Sequence, residues 1–226
     1  MKAILFDLYG TLVDNPTQDQ VRAMHVAVAQ VLGIDPLRYA DGWKETFRER
    51  TRGEYGSVAG AIAAAANWAE CTFDEALLAS AVEVRHRQTE GWLVPRHDAV
   101  ETIHHFRGKG IRTGLLSNCT DDVPIIWPSL AFASMIDYPL FSSVEKIRKP
   151  TPEFYLRALE RLNVEANECL YVADGDNGEL AAAKKIGMDA VMIRPSHLLN
   201  DYRQDPEEDW AGHRIETLSE LLGMLP

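Results

Sequence analysis

Residues 3–11 read AILFDLYGT, and this stretch decides the fold. Four apolar residues, Ala3 to Phe6, lead directly into Asp7, and Gly10-Thr11 supplies a turn just beyond it. A short apolar run bounded by turn residues is typical of a strand buried on both faces of a parallel sheet. We therefore predict a strand over Ala3 to Phe6 that delivers Asp7 to the carboxyl edge of the sheet.

Three further apolar runs follow later in the chain and alternate with helical patterns. They are Ile111 to Leu116, which ends at Ser117-Asn118, Cys169 to Ala173, which ends at Asp174, and Ala190 to Ile193. The helical patterns cover Val100 to Phe106, a segment opened by Thr151-Pro152, Leu180 to Ile186 with Gly187 as the stop, and a closing helix over Thr217 to Leu225. Alternating strands and helices predict an α/β fold with a doubly wound parallel sheet, covered by helices on both faces.

The stretch between the first strand and residue 92 carries no strand pattern. An amphipathic helix over Val21 to Leu32 stops at Gly33, and an Ala-rich helix covers Val58 to Glu70. Residues 72–75 have the spacing of a capping box, which predicts a third helix running toward Gln88. We therefore predict an all-α insert, or cap, over residues 15–92, and a core made of residues 1–14 and 93–226.

Composition and charge exclude several classes of protein. The chain has 226 residues and a net charge of −11, from 34 acidic and 23 basic residues, so its surface on average repels nucleic acid. No run approaches the roughly 20 apolar residues of a membrane span, and the N-terminus lacks the pattern of a signal peptide. The three cysteines are scattered without metal spacing, which favours a cytoplasmic protein. Oligomeric state leaves no signal in the sequence.

Polar residues stand at the ends of the predicted strands, where ligands bind in such sheets. These are Asp7, Ser117-Asn118 and Asp174, and Lys149 lies just before a predicted helix. The Lys149 ammonium neutralises negative charge, and the hydroxyl and amide donate to oxygens, which suits an anionic substrate. Paired carboxylates hold a hard cation such as Mg²⁺, and a carboxylate also serves as a nucleophile.

Four segments resemble, in order and spacing, the four motifs of the haloacid dehalogenase superfamily of hydrolases. They are DLYGTLV at residues 7–13, LLSN at 115–118, RKPTP at 148–152 and DGDNGE at 174–179. The helical insert between the first two resembles the C1 cap of one subclass. The resemblance spans essentially the whole chain, and four ordered motifs together are far more specific than any one alone.

The resemblance implies a role for each matching position. Asp7 would be the nucleophile and form a covalent intermediate that water hydrolyses, while Ser117 and Lys149 would hold the transferring group and the charge on Asp7. Gly10, Thr11 and Asn118 would complete the substrate-binding loops. Mg²⁺ would be bound by Asp7, the main-chain oxygen of Tyr9 and Asp174, with Glu179 either a ligand or a residue behind the ligands.

Tyr9 departs from the phosphatase pattern. Phosphatases of the superfamily usually have a second Asp there, which serves as general acid and base. A Tyr side chain, with a pKa of about 10, is a poor substitute at neutral pH. Haloacid dehalogenases resemble this chain at Tyr9, because a departing halide needs no proton, but they typically have Ser in place of Asp174 and work without metal. Dehalogenases also hold the halide with a cap arginine, for which Arg48 beside Trp43 and Phe47 is the candidate.

Three interpretations therefore remain open. The first is a Mg²⁺-dependent phosphatase of a small, anionic phosphorylated metabolite, with a preference for acidic leaving groups such as acyl or aryl phosphates. It is favoured because two adjacent carboxylates, Asp7 and Asp174, are costly without a cation between them. The second is a metal-independent 2-haloacid dehalogenase. The third is a family member that has lost activity and acts as a binding or regulatory module.

Overall fold

A six-stranded parallel sheet forms the centre of the protein. The computed structural model describes residues 1–195, 201–203 and 205–224. The strands lie in the order β3-β2-β1-β4-β5-β6, and each neighbouring pair is parallel. Their bounds are β1 Ala3–Phe6, β2 Arg112–Ser117, β3 Tyr138–Phe141, β4 Cys169–Ala173, β5 Asp189–Ile193 and β6 His213–Ile215. This order is that of a Rossmann-like sheet, so the predicted fold class is confirmed.

The central strand β1 sets the position of the candidate site. All four of its residues are buried, as expected for a strand covered on both faces. Phe6 pairs with Leu115 of β2 on one side and with Val172 of β4 on the other. The strand order reverses between β1 and β4, which leaves a crevice at their carboxyl ends. Asp7 and Asp174 follow these two strands directly and therefore meet in that crevice.

Helices cover both faces of the sheet and enclose two apolar cores. Alternation along β1 places Ile4 and Phe6 in one core and Ala3 and Leu5 in the other. The helices of this part are α6 Ala99–Gly108, α7 Asp122–Ile126, α8 Ser142–Glu145, α9 Pro152–Leu162, α10 Glu179–Lys185 and α11 Leu221–Met224. No helix among the described residues is both long and apolar enough to cross a membrane.

Residues 18–92, all of them described, hold helices and turns but no strand. The helices are α1 Gln18–Leu32, α2 Pro36–Glu45, α3 Phe47–Thr51, α4 Val58–Trp68 and α5 Leu78–Trp92. They share an apolar core of their own, built around Tyr39, Trp43 and Ile62. As predicted, α1 ends where Gly33 adopts a left-handed conformation, with φ of 68°. The bounds of a cap at residues 15 and 92 stay a prediction.

Some local predictions were wrong. Residues 72–75 form no capping box: Asp74 is the cap and accepts a hydrogen bond from the Ala76 amide at 2.9 Å, because a 3₁₀ turn over Glu75–Leu77 precedes α5. The predicted closing helix begins as a 3₁₀ turn over Leu218–Glu220 before α11, and its last residue, Leu225, lies outside the described residues. Strands β3 and β6 were not predicted, because each is a short edge strand with half-exposed or exposed residues.

The buried His25 of α1 predicts that the apolar core of helices α1 to α5 is destabilised by acid. Its ring packs near Tyr39 and Trp43, at centroid distances of 6.0 and 6.2 Å. Burial, reinforced by Arg85 and Arg50, lowers the pKa of His25 from 6.5 to about 4. The folded protein disfavours protonation of His25, whereas the unfolded chain accepts the proton below about pH 6.5. The free energy of unfolding is therefore unaffected by His25 protonation above pH 6.5 and decreases as the pH falls toward 4, by about 3 kcal/mol at most.

We therefore expect His25→Phe to flatten the fall in stability between pH 6.5 and 4, as measured by urea unfolding at a series of pH values. The matched control is His104→Phe on the exposed face of α6, which should keep the wild-type slope. Equal slopes for all three proteins would show that His25 does not govern this transition.

Candidate active site

Three carboxylates converge in the crevice at the carboxyl end of the sheet. One oxygen from each of Asp7, Asp174 and Glu179 lies within 4.8 Å of the other two, and all three residues are buried. Asp7 follows β1, Asp174 follows β4, and Glu179 begins α10. The structure therefore brings together the acidic residues that the first and fourth motifs supply.

Lys149 is the cation at the centre of this cluster. It is 3% exposed, and its Nζ donates to Asp7 Oδ1, to Glu179 Oε2 at 2.6 Å and to the Tyr171 hydroxyl at 3.2 Å. Asn118 fixes the lysine from behind: its Oδ1 accepts from the Lys149 amide at 2.8 Å, and its Nδ2 donates to the Lys149 carbonyl at 3.0 Å. The Asn118 side chain thus positions Lys149, and its predicted contact with substrate stays a prediction.

Glu179 uses both of its oxygens within the protein. Its Oε2 accepts from Lys149 and from the Tyr171 hydroxyl, each at 2.6 Å. Its Oε1 accepts from the amides of Gly175 and Asp176, each at 3.1 Å, so it also shapes the loop that carries Asp174. Of the two predicted roles for Glu179, these four bonds favour a residue behind the ligands over a direct ligand.

Asp174 takes its hydrogen bonds through one oxygen. Its Oδ2 accepts from Asn15 Nδ2 at 2.8 Å and lies 3.3 Å from Arg203 Nε. Gly10 makes this approach possible: at its φ of 76°, a Cβ would lie 2.3 Å from the same Asp174 oxygen. Gly10 is therefore required for backbone clearance beside Asp174.

The electrostatics of the cluster show carboxylates in excess of nearby cations. Burial raises the pKa of Asp7 to about 7, with Lys149 opposing and Glu179 adding to the rise. Burial also raises the pKa of Asp174 well above its ordinary value, and Glu179 and Asp7 reinforce this while Arg203 opposes it. Desolvation disfavours the charged form of Lys149, but Asp7 and Glu179 outweigh it, so the lysine pKa is raised. An additional cation would relieve this repulsion.

Two predicted hydroxyl donors are buried without partners. Ser117 Oγ, at the end of β2, lines the cavity above Asp7 and has no hydrogen-bond partner among the described residues. Because an unpaired buried hydroxyl costs free energy, Ser117 is poised to bond a ligand oxygen. Thr11 Oγ1 is equally unpaired within the described chain, but Thr11 is not part of the cavity wall, and its predicted substrate contact stays a prediction.

A cavity of about 180 Å³ lies over Asp7, between the sheet edge and the helices of residues 18–92. A cavity of roughly 150 Å³ holds a benzene molecule, so this one suits a small substrate. Its wall combines apolar and aromatic side chains with buried arginines; those from the helical region include Val21, Met24, Trp43, Phe47, Arg50, Arg85 and Trp92.

Two arginines, Arg85 and Arg50, line this cavity, and Arg50 packs against Trp43. Its guanidinium stacks 3.6 Å from the centre of the Trp43 ring and donates to Thr120 Oγ1 at 3.2 Å. No carboxylate of the described residues forms an ion pair with it, whereas Arg85 pairs with Asp122 at 2.8 Å. The prediction of Arg48 was wrong: Arg48 is exposed, because positions two residues apart lie on nearly opposite sides of helix α3 and Arg50 is the one that faces inward.

Tyr9 lines the cavity beside Asp7. Burial, reinforced by the negative charge of Asp122, raises its pKa well above 10. Tyr9 therefore keeps its proton at neutral pH and has no capacity to act as a general base there. Cys119, also in the wall, is held as an unreactive thiol because burial raises its pKa.

Sequence comparison identifies relatives with both chemistries. A family model for haloacid dehalogenase-like hydrolases matches residues 1–187. (S)-2-haloacid dehalogenase 4A of Burkholderia cepacia is 27% identical, over 100% of this chain and 95% of that protein. Ribulose-1,5-bisphosphate 5-phosphatase of Halopiger xanaduensis is also 27% identical, over 99% of this chain and 98% of that protein.

The fold agrees with these matches. The crystal structure of 2-haloacid dehalogenase from Pseudomonas syringae pv. Tomato superposes with a TM-score of 0.72 at 21% identity, covering 99% of this chain and 97% of that one. A four-motif carboxylate and lysine cluster at the edge of a Rossmann-like sheet, together with the family match, establishes the class of the protein: the chain belongs to the haloacid dehalogenase-like hydrolases.

Proposed function

We propose that this hydrolase is a Mg²⁺-dependent phosphatase of a small anionic metabolite, with Asp7 as its nucleophile. The observation that carries the proposal is the buried cluster of Asp7, Asp174 and Glu179, whose oxygens lie within 4.8 Å of one another. A buried group of carboxylates stays ionised only when cations accompany it. Lys149 and Arg203 supply two positive charges against the four carboxylates that they contact, these three and Asp201, which leaves two negative charges that a divalent cation would balance.

The donor atoms fit magnesium, which prefers carboxylate and carbonyl oxygens. Asp7 bonds Lys149 through Oδ1 and Asp174 bonds its donors through Oδ2, so within the described residues the second oxygen of each carboxylate has no side-chain donor. Asp7, Asp174 and the main-chain oxygen of Tyr9 would hold the ion, with Glu179 behind them. When bound, Mg²⁺ would neutralise charge on the phosphoryl oxygens.

The chain's own groups account for the remaining steps. An Asp7 oxygen attacks phosphorus and forms an aspartyl phosphate as the P–O bond to the leaving group breaks. The leaving oxygen departs as an anion that takes a proton from solvent, and water then hydrolyses the intermediate. Lys149, bonded to Asp7, balances negative charge as it develops, and the unpaired Ser117 hydroxyl donates to a phosphoryl oxygen. Arg50, buried without an acidic partner in the described chain, favours a substrate with a further anionic group.

Tyr9 limits which phosphates react quickly. Because the pKa of Tyr9 is well above 10, its hydroxyl is too weak an acid to protonate the leaving group effectively, and no Asp stands in its place. We therefore propose acyl or aryl phosphates as the preferred substrates, since their leaving groups depart without a proton. A series of aryl phosphates should show rates that rise steeply as the leaving-group pKa falls, and a flat series would contradict this preference.

The second candidate function is 2-haloacid dehalogenation. Two observations favour it: Tyr9 stands beside Asp7, and Arg203 already supplies a positive charge to Asp174. In this reaction Asp7 attacks carbon and expels halide, and the apolar wall with Arg50 would receive the substrate. Neither a proton donor nor a metal is needed for that step.

One assay separates the two candidates. Hydrolysis of acetyl phosphate and p-nitrophenyl phosphate is measured with Mg²⁺ and with EDTA, in parallel with chloride release from 2-chloropropionate. We expect phosphate release that requires Mg²⁺ and is lost in EDTA. The Asp174→Ala variant should need a much higher Mg²⁺ concentration, because it removes one proposed ligand. Chloride release that persists in EDTA would instead establish the dehalogenase, and an unchanged Mg²⁺ titration of Asp174→Ala would exclude Asp174 as a ligand.

A further inference from the structure

The described residues 201–203 and 205–212 of the connection between β5 and β6 lie against the loop that carries Asp174. The Glu207 amide donates to the Gly175 carbonyl at 2.7 Å, and the Asn177 amide donates to the Asp205 carbonyl at 2.8 Å. The Glu207 carboxylate accepts from the first amides of α10, those of Leu180 and Ala181. Glu207 therefore binds this part of the connection to the start of α10. Several hydrogen bonds together fix the position of the connection relative to Asp174.

The same connection also reaches the segment that links β1 to α1. Asp201 bridges with Thr17, and the Tyr202 amide donates to the Pro16 carbonyl at 2.9 Å. Asn15, in this segment, donates to Asp174 Oδ2 at 2.8 Å and to Asp201 Oδ2 at 3.3 Å. Residues 201–203 are therefore held between the linking segment and the Asp174 loop.

This arrangement delivers Arg203 to Asp174. The Arg203 side chain is 7% exposed, and its Nε lies 3.3 Å from Asp174 Oδ2. Its guanidinium also contacts Asp201 Oδ2, from Nε at 2.9 Å and from Nη2 at 2.7 Å. Arg203 therefore has Asp201 as an ion-pair partner even when the Asp174 carboxylate binds another cation.

We infer that Arg203 is a resident cation that competes with a divalent metal ion for Asp174. This inference rests on the proposed metal site. A metal ion bound by Asp174 would lie close to a buried guanidinium of the same sign, and that repulsion is strong where water is excluded. Binding of the metal ion is therefore coupled to the position of Arg203. The ion binds weakly while Arg203 contacts Asp174, and it binds more tightly when Arg203 contacts Asp201 alone. Without metal, Arg203 stabilises the Asp174 carboxylate.

Metal binding to the purified protein tests the competition without relying on activity. Mn²⁺ dissociation constants are measured by electron paramagnetic resonance and calorimetry for the wild type and for Arg203→Met, Arg203→Gln and Arg203→Lys. We expect Met and Gln to bind Mn²⁺ about tenfold tighter or more, because each removes the positive charge. The Lys variant, which keeps the charge, should stay close to the wild type.

Thermal unfolding with EDTA and with Mg²⁺ provides a second readout. The neutral Arg203 variants should melt below the wild type in EDTA and gain more from Mg²⁺, because tighter binding of an ion to the folded state raises Tm. Arg194→Met is the matched control: Arg194 lies in the same connection and pairs with the exposed Glu208 at 3.5 Å. It should change neither the Mn²⁺ affinity nor the response to Mg²⁺.

The outcomes separate this inference from the proposed function. If the wild type and all variants bind Mn²⁺ with one affinity, the metal site stands and the competition by Arg203 is overturned. An Arg203→Lys variant that binds as tightly as Arg203→Met would also overturn it, because charge would not be the cause. If no variant binds Mn²⁺, both the metal site and the competition are refuted. Should Arg203→Met fail to fold, the Gln and Lys pair carries the same comparison.

Discussion

The Asp7→Asn variant is expected to lose hydrolysis by a factor of about 10⁴ or more, the scale seen when a covalent nucleophile is removed. The amide keeps the shape of the carboxylate but does not attack the substrate. The loss should appear in kcat, with acetyl phosphate as the substrate if the phosphatase proposal holds and 2-chloropropionate otherwise. Asp7 is the proposed nucleophile in both, so the expectation does not depend on which is correct.

The thermal stability of the Asp7→Asn variant should not decrease, although its activity is lost. The raised pKa of Asp7, about 7, means that the folded protein disfavours its ionised form, and asparagine removes that charge from the cluster. We therefore expect a Tm equal to or above that of the wild type in EDTA at alkaline pH. Asp14→Asn is the matched control, because Asp14 is 56% exposed and pairs with Arg96 near the site; it should stay active. An Asp7→Asn enzyme with most of its activity would disprove the assigned nucleophile.

Lys149→Met is expected to lose both activity and stability. Its ammonium joins Asp7 and Glu179 at the centre of the cluster, where all three side chains are less than a tenth exposed. Removing one partner of a buried ion pair leaves uncompensated charge and costs about 3–5 kcal/mol, which lowers Tm by about 6–20 °C in a protein of this size. Catalysis falls as well, because the charge on Asp7 loses its partner.

Thermal and urea unfolding measure this effect. Lys184→Met provides the comparison, since Lys184 is half exposed and pairs with Asp189 at 3.4 Å on the surface of α10; exposed pairs contribute little. Adding Glu179→Gln to Lys149→Met should recover part of the stability, because it removes a buried carboxylate that has lost its ion-pair partner. It should recover none of the activity, because the cation beside Asp7 is still missing. A Lys149→Met protein as stable as the Lys184→Met control would show that the buried pair does not support the fold.

Local patterns in the sequence were sufficient for the order of most elements and for the residues that meet at the sheet edge. The apolar run of Ala3 to Phe6 forms β1, and the runs before Ser117 and Asp174 form β2 and β4. Parallel strands end at one edge, so polar residues placed directly after them converge whatever the details of packing. That is why Asp7, Ser117 and Asp174 could be named together in advance, with Lys149 just before a neighbouring helix, whereas Glu179 was named from the family resemblance.

Local sequence patterns did not predict the edge strands or the short turns. Strand β6, His213–Ile215, has three residues, two of them exposed, so neither length nor apolar alternation marks it. Pairing with β5 alone makes it a strand. The turn that leads into α5 is capped by Asp74, whereas the sequence pattern placed the cap at Thr72, and both residue types are good caps. Such choices are decided by neighbours distant in sequence.

The sequence by itself determined the Rossmann-like core, the three carboxylates and Lys149 of the site, and the presence of Tyr9 where the resemblance leads one to expect an Asp in a phosphatase. Only the tertiary structure decided which cations accompany those acids. Arg203 reaches Asp174 through the path of the β5–β6 connection, and Arg50 rather than Arg48 enters the cavity through the rotation of α3. The physical reason is that local sequence pattern decides whether a segment forms a strand or a helix and which residues stand at its end. Which charged side chains come into contact depends instead on how segments distant in the sequence pack together.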